Sequence, residues 1–246
     1  MQIFKSILLK IYMVWVVLVF SVFMILLLPV FIIPILIGQR YGSIAYGGIR
    51  IWAWIFSKLT FIRYEIRGRD NIDKTESYIY TSNHTSFLDA PGLALGIPTQ
   101  FRPLAKKELL KIPVFGLIVR VVTIVVDRSN QESRKKSVKK LSLLLNQGLS
   151  ILIFPEGTQN RTDKILQPFY DGAFRIAIAS KKPIMPIVIV NAGKLMPPST
   201  LHIKPGKIQV IFGEPIYPDG LTQKDIKVLK QKTFSQMEKI LIEASG

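Results

Sequence analysis

The sequence predicts an α/β domain with a mixed, largely parallel sheet flanked by helices, preceded by a membrane-associating helical hairpin. One observation behind this prediction is that residues 11–39 contain no charged side chain. Another is that, from residue 61 onward, short β-rich runs alternate with amphipathic helical segments, which is typical of α/β layers. We therefore expect a hairpin in residues 1–60 and a single α/β domain in residues 61–246.

The first arm of the hairpin is the uncharged stretch, which exceeds the roughly 20 residues that a membrane-spanning helix needs. Pro29 and Pro34 interrupt it, and basic residues flank both of its ends. Because positive flanks favour the cytoplasmic side, two such flanks favour a re-entrant or in-plane arrangement over one clean span. Residues 41–59 form the second arm and carry tryptophan and tyrosine of the kind found at membrane interfaces. We expect a monotopic or single-span protein on the cytoplasmic face of the cell inner membrane or plasma membrane.

The composition narrows the classes of partner. Lys and Arg number 33 against 16 Asp and Glu, which gives a formal net charge of +17. That charge suits phosphate headgroups, an acidic carrier protein or nucleic acid. The apolar N-terminal segment favours a membrane over nucleic acid. With no cysteine and only two histidines, the sequence excludes disulfides and thiolate metal sites and argues against a zinc centre.

Periodicity, turn residues and caps predict the elements of the α/β domain. Strands are predicted at residues 61–67, 78–82, 100–104, 119–127, 150–154, 184–190 and 207–212. Helices are predicted at residues 90–95, from residue 106, and at residues 131–146, 172–179 and 222–244. The helix at 131–146 has a basic face, which is most simply exposed to solvent. A contact with lipid headgroups or an acidic protein is the alternative for this face.

The stretch Asn83-His84-Thr85-Ser86-Phe87-Leu88-Asp89 follows the second predicted strand. A neutral imidazole whose Nδ1–H is held by Asp89 would present Nε2 of His84 as a base near neutral pH. Since the chain has no cysteine and no G-x-S-x-G turn, nothing marks a protein nucleophile, although Ser82 and Ser86 remain possible. A structural hydrogen bond between the same two side chains is the simpler interpretation of this pair alone.

Further candidate residues follow other predicted strands, so one crevice could gather them with the histidine. These candidates are Lys106, Arg128, Glu156, Gly157 and Arg161. Arginine offers a bidentate fork to phosphate, lysine offers a mobile point charge, and glycine lets the backbone come close to a ligand. Taken singly, each basic residue could be a surface charge, and Glu156 could stabilise a turn by a hydrogen bond.

Four motifs occur in order between residues 83 and 186. The first motif is N-H-x-x-x-x-D at residues 83–89. The second motif covers residues 105–109 and continues with Ile112-Pro113, Gly116 and Asp127-Arg128. The third motif is F-P-E-G-T at residues 154–158, and the fourth is P-I-M-P at residues 183–186. With these motifs the sequence resembles the glycerolipid acyltransferase family, most closely its 1-acylglycerol-3-phosphate acyltransferases. Two positions depart from the family pattern: Gln159 stands where arginine is frequent, with Arg161 the next arginine, and Thr123 stands where glycine is frequent.

The resemblance implies transfer of a fatty acyl group from an acyl carrier protein or coenzyme A thioester to the free hydroxyl of lysophosphatidic acid. It implies no cofactor beyond that acyl-ACP or acyl-CoA co-substrate, and no nucleic-acid partner. By their motif positions, His84 would be the general base and Asp89 its orienter. Lys106 and Arg128 would hold the acceptor phosphate, and Glu156 and Gly157 would shape the acceptor site.

Three alternatives remain at this stage. The same chemistry could act on glycerol 3-phosphate or another lipid alcohol. A hydrolase could use Ser86 or water as the attacking group and release free acid. A basic membrane-surface or nucleic-acid-binding protein could carry the histidine motif incidentally, although aromatic residues interleaved with basic ones are sparse after residue 61.

Overall fold

The computed structural model describes residues 2–37, 41–106, 108, 110, 116, 123–126, 131–198 and 200–245. The helices in these ranges are α1 (Gln2–Leu26), α2 (Leu28–Ile37), α3 (Gly42–Leu59), α4 (Asp89–Gly96), α5 (Gln131–Asn146), α6 (Gly172–Ser180), α7 (Ala192–Leu195) and α8 (Ile226–Ser245). The strands are β1 (Ile62–Arg67), β2 (Ile79–Ser82), β3 (Phe101–Lys106), β4 (Ile124–Val126), β5 (Ser150–Ile153), β6 (Ile184–Val190) and β7 (Gly206–Phe212).

These strands form one sheet in the order β1-β7-β6-β2-β5-β3-β4. Neighbouring strands are parallel except β6 and β7, which pair antiparallel. The predicted mixed, largely parallel sheet flanked by helices is therefore confirmed. β2 lies between β5 and β6, with Ile79 in register with Ile151 and Ile184. The C-terminal ends of β2, β5 and β3 meet at one edge, where the segments that follow them come together.

Alternate residues of the central strands pack into two separate cores. In β2, Tyr80 points into a core shared with α1 to α4, whereas Ile79 points into a core shared with α5, α6 and α8. β5 divides in the same way, with Leu152 in the first core and Ile151 in the second. This alternation follows from the period of two in a strand and explains why these runs are apolar throughout.

The N-terminal helices form an antiparallel hairpin that rests on the domain through α3. Tyr12 and Trp15 of α1 donate hydrogen bonds to the backbone carbonyls of Thr60 and Leu59, near the end of α3. Phe31 of α2 packs near Gly48, in the middle of α3. One helical stretch, residues 6–34, is long and apolar enough to cross a membrane by length and composition, with a mean hydropathy of 3.2.

The structure refines the predicted hairpin. Its first arm is two helices with a break at Leu27, two residues before Pro29, which cannot donate the backbone hydrogen bond of a continuous helix, whereas Pro34 lies inside α2. Pro29 lies in the first turn of α2, where a missing N–H is tolerated. The division at residue 60 and the membrane association of the hairpin remain predictions.

Several predicted boundaries inside the domain were wrong. β3 continues to Lys106, so no helix begins at that residue, and β4 covers only three residues within the described range. α4 begins at Asp89, one residue earlier than predicted, and α8 begins at Ile226, four residues later. The sequence analysis missed the short helix α7. The ends of the predicted fourth strand, 119–122 and Asp127, lie outside the described residues.

Candidate active site

The histidine loop joins β2 to α4, and Asn83 fixes its start. The Asn83 side chain donates to the carbonyl of Ile189 at 2.9 Å and accepts from the N–H of the same residue at 2.7 Å. Ile189 belongs to β6, the neighbour of β2, so this buried amide pairs with the strand as another strand would. The loop therefore leaves the sheet at a fixed position.

His84 and Asp89 form the contact that the sequence predicts. Nδ1 of His84 lies 2.7 Å from Oδ2 of Asp89, and the same oxygen accepts the backbone N–H groups of Thr85 and Ser86, each at 2.9 Å. The carboxylate is fully buried, whereas the imidazole side chain is 23% exposed. Because the carboxylate oxygen accepts, Nδ1 is the donor in this contact, and in that tautomer of the neutral ring Nε2 has the lone pair. No hydrogen bond to Nε2 comes from the described residues.

The loop after β5 supports the backbone and the ring of the histidine. The Phe154 ring stacks on the imidazole with a centroid separation of 4.1 Å and an interplanar angle of 20°. The N–H of His84 donates to Oε1 of Glu156 at 3.0 Å, and its carbonyl accepts from the N–H of Asn160 at 2.6 Å. The imidazole is therefore positioned by the Phe154 ring, by the hydrogen bonds of the His84 backbone and by Asp89. Nε2 remains available for chemistry.

Glu156 is buried and accepts hydrogen bonds from the backbone, so it is not a surface charge. Its second oxygen, Oε2, accepts the N–H of Gln167 at 2.8 Å, so both oxygens bind backbone N–H groups from separate segments. Burial raises the pKa of the Glu156 carboxyl from its ordinary value, and the two backbone N–H donors oppose that shift. The geometry makes Glu156 a residue that shapes the site by holding the histidine loop.

Gly157 and Arg161 lie on the same loop. Gly157 has a φ of +76°, and a Cβ there would come within 2.8 Å of the Tyr170 ring. Arg161 is exposed, one residue after Asn160. Gln159, at the position where the resemblance leads one to look for arginine, has a buried Nε2 with no hydrogen-bond partner among the described residues.

The other two candidate residues are placed only in part. Lys106 ends β3 and pairs in register with Val126, the last residue of β4, so its backbone lies at the same edge of the sheet as the histidine loop. Its side chain is not described. Arg128 lies outside the described residues, two positions beyond Val126.

The two serines near the histidine are engaged in the protein. Oγ of Ser86 donates to the carbonyl of Met196 at 2.8 Å, and Oγ of Ser82 donates to the carbonyl of Asn83 at 3.0 Å. Both residues are buried. A protein nucleophile must carry a hydroxyl that faces the base, and neither of these does in this arrangement. Within the described ranges, no group of three or more His, Asp or Glu could hold a metal ion.

Comparison with known proteins shows the family to which the chain belongs. A family model described as Acyltransferase matches residues 63–190, which include every motif noted above. The chain belongs to the acyltransferase family. It is 34% identical over 171 residues to a chloroplastic 1-acyl-sn-glycerol-3-phosphate acyltransferase of Brassica napus, covering 68% of this chain and 49% of the relative. It is 33% identical over 187 residues to the alpha form of that enzyme from Mus musculus, covering 75% and 65%.

The match of this acyltransferase therefore spans 49% and 65% of the lengths of these two curated relatives. A solved structure, the 1-acyl-sn-glycerophosphate acyltransferase PlsC from Thermotoga maritima, matches with a TM-score of 0.74 and covers 98% of both chains at 22% identity. The structural likeness extends through the N-terminal helices and shows that the whole described fold is shared.

Three residues of this acyltransferase site escaped the sequence analysis. The Phe154 ring stacks on the imidazole, the Asn160 N–H binds the His84 carbonyl, and the Asn83 amide fixes the start of the loop at Ile189. Phe154 and Asn83 belong to the quoted motifs, so the motif spacing was the available signal for them. Asn160 acts through its backbone, for which the residue type gives no signal.

Proposed function

We propose that this protein transfers a fatty acyl group from an acyl thioester to the free hydroxyl of lysophosphatidic acid, giving phosphatidic acid. The observation that carries the proposal is the contact between His84 and buried Asp89, while the neighbouring Ser82 and Ser86 hydroxyls donate to backbone carbonyls instead of to the imidazole. An enzyme that activates the hydroxyl of its substrate needs a base but no nucleophile of its own.

The proposed reaction is one direct transfer. Nε2 of His84 takes the proton of the lipid hydroxyl while that oxygen attacks the thioester carbonyl carbon. The resulting tetrahedral intermediate expels the sulfur, and the imidazolium returns the proton to the thiolate. Asp89 stabilises the imidazolium and holds the ring in the reactive tautomer. The products are the ester and a free thiol, with all protons accounted for.

An anionic acceptor matches the basic residues that the sequence analysis assigns to its phosphate. Lys106 and Arg128 hold the phosphate of lysophosphatidic acid in this proposal, and Arg161 adds positive charge on the loop after β5. Glu156 and Gly157 shape the acceptor site through the backbone that they fix. The hairpin of α1 to α3 seats the domain at the membrane that supplies this lipid, on the cytoplasmic face.

The test is a product assay in lipid vesicles with lysophosphatidic acid, supplied with palmitoyl coenzyme A in one arm and palmitoyl acyl carrier protein in the other. We expect labelled phosphatidic acid from the wild-type protein and a loss of at least about 10²–10⁴-fold in His84→Ala, the usual contribution of a general base. His202→Ala removes the only other histidine, which is exposed, and should retain full activity. Activity with glycerol 3-phosphate alone, or release of free acid alone, would contradict the proposal.

A further inference from the structure

Two adjoining cavities lie between α5 and α6, on the face of the sheet opposite the hairpin. The inner cavity, of about 580 Å³, begins at Phe154 and Gly157 and runs under both helices. The outer cavity, of about 760 Å³, continues along α5 toward Gln223. Val138 and Arg175 line both cavities, so together they form one trough.

The inner end of the trough reaches the catalytic pair. The Phe154 ring stacks on the imidazole of His84, and Phe154 is also one of the residues that line the inner cavity. The remaining lining of this cavity is mostly apolar, with Ile153, Leu141 and Ile176 among its residues. An uncharged thioester suits this end, because Phe154 both lines the cavity and stacks on the imidazole of His84.

The outer end of the trough is cationic. Lys135 and Lys139 of α5 and Arg175 of α6 line it, and no carboxylate does so among the described residues. Asp171 directly precedes α6 and lines the inner cavity, where it is paired with Lys230 at 2.7 Å and with Arg175 at 3.6 Å. Neither of the two lysines has an ion pair within the described ranges. Ser142 also belongs to this lining, and its hydroxyl is buried without a hydrogen-bond partner among the described residues.

We infer that this trough binds the phosphopantetheine arm of the acyl donor, with the thioester at Phe154 and the phosphate at Lys135, Lys139 and Arg175. This inference rests on the proposed function. Coenzyme A and acyl carrier protein share the arm, which is long, narrow and anionic at the end far from the sulfur. A trough that is apolar beside the base and cationic at its outer mouth complements that distribution.

The position of the trough agrees with the two substrates arriving from different sides. The lysolipid comes from the membrane side, where α1 to α3 pack against α4 and the first core. The donor is water-soluble, and α5, α6 and α8 cover the other face of the sheet. Each substrate then has its own entry, and the two meet at the edge where His84 lies.

The experiment reverses the charge of the outer cavity on one helix. In Lys135→Glu/Lys139→Glu, we expect the KM for the acyl donor to rise by about tenfold or more, because like charge now meets the phosphate. The KM for lysophosphatidic acid and the kcat at saturating donor should stay within about twofold of wild type. The matched control is Lys136→Glu/Lys140→Glu, with the same spacing, helix and charge change, on exposed residues that do not line the trough. This control should keep the wild-type KM.

Palmitoyl coenzyme A and palmitoyl acyl carrier protein serve as separate arms to identify the source of the phosphate. A raised KM in either arm, absent from the control, supports the site, whereas an unchanged KM in both arms overturns it. Binding of coenzyme A alone, measured by calorimetry, should weaken in the same variant. This second readout separates the two proposals: weakened binding with no acyl transfer by the wild type would refute the proposed function and leave the trough supported.

Discussion

At the residue scale, Asp89 concentrates its hydrogen bonds on the oxygen that faces the histidine. Oδ2 accepts three N–H groups, whereas Oδ1 is buried with no partner among the described residues. Asp89→Asn can keep a carbonyl oxygen toward those donors but loses the negative charge that stabilises the imidazolium. We expect kcat to fall by roughly 10²–10⁴-fold, in line with the loss of an orienting carboxylate, while the KM for lysophosphatidic acid changes little.

Steady-state kinetics of phosphatidic acid formation measure this effect. Asp225→Asn is a suitable control, because Asp225 also accepts a backbone N–H, from Thr222 at 2.9 Å, but lies far along the chain at the start of α8. It should retain wild-type kcat. A wild-type kcat in Asp89→Asn would show that the carboxylate is only structural.

Glu156 leads to a prediction about stability. Both of its oxygens accept backbone N–H groups, from His84 and Gln167. In Glu156→Gln an NH₂ replaces one of those oxygens, so one buried N–H faces a donor and loses its acceptor. We expect the free energy of unfolding to fall by about 1–3 kcal/mol, measured by urea denaturation. Glu243→Gln, at an exposed position of α8, should change it by less than about 0.5 kcal/mol.

The contact of His84 with Asp89 was predictable from sequence because the two residues are five positions apart and one turn can join them. The contacts with Phe154 and Asn160 depend on β5 lying next to β2, which local patterns do not specify. The role of Glu156 was left open for a related reason. A sequence shows that a carboxylate is present but not whether its oxygens face a ligand or a backbone amide.

At the element scale, the loop after β5 depends on the left-handed conformation of Gly157. An L-residue in this backbone conformation costs roughly 1–2 kcal/mol of conformational free energy. A Cβ at this position would also lie 2.8 Å from the Tyr170 ring. Gly157→Ala should therefore lose stability and shift the loop that holds His84. We expect activity to fall by at least about tenfold, since a misplacement of 1 Å can cost roughly 10²-fold.

Gly148 provides the matched control for this loop. Its φ is +87°, so alanine would have a similar unfavourable backbone conformation there. No atom lies within 4 Å of a Cβ built at this position. Gly148→Ala should lose comparable stability in thermal unfolding and keep its acyl transfer. Equal activities in the two folded variants would show that the conformation of the Gly157 loop does not matter for the reaction.

The strands and long helices were predictable because each has a clear period and clear end signals. Errors arose where pairing between distant strands decides a boundary. At Lys106 the basic pattern predicts the start of a helix, but pairing with Val126 of β4 extends β3 to that residue. The break of the first arm came from prolines that the sequence shows plainly. The strand order, with β2 at the centre and β6 antiparallel to β7, has no local signal at all.

At the scale of the whole molecule, the two faces of the sheet differ in the surfaces that they support. The first core continues into the apolar hairpin, whereas the helices over the second core carry exposed lysines, including Lys135, Lys139 and Lys232. This asymmetry fits an enzyme that takes one substrate from a bilayer and the other from water. His84 lies at the edge of the sheet, where both faces are within reach.

The hairpin should bind vesicles through the outward face of α1. Ile11 and Leu18 are seven residues apart, so they share one face of the helix, and they are 60% and 52% exposed. Ile11→Asp/Leu18→Asp places two charges on that face without touching either core. Because each aspartate costs up to roughly 2.5–3.5 kcal/mol in a bilayer, we expect the vesicle-bound fraction in flotation assays to fall by tenfold or more. Val228→Asp/Ile242→Asp, at equally exposed apolar positions of α8, should leave the bound fraction unchanged. If both pairs lower it equally, or neither does, α1 is not the membrane contact.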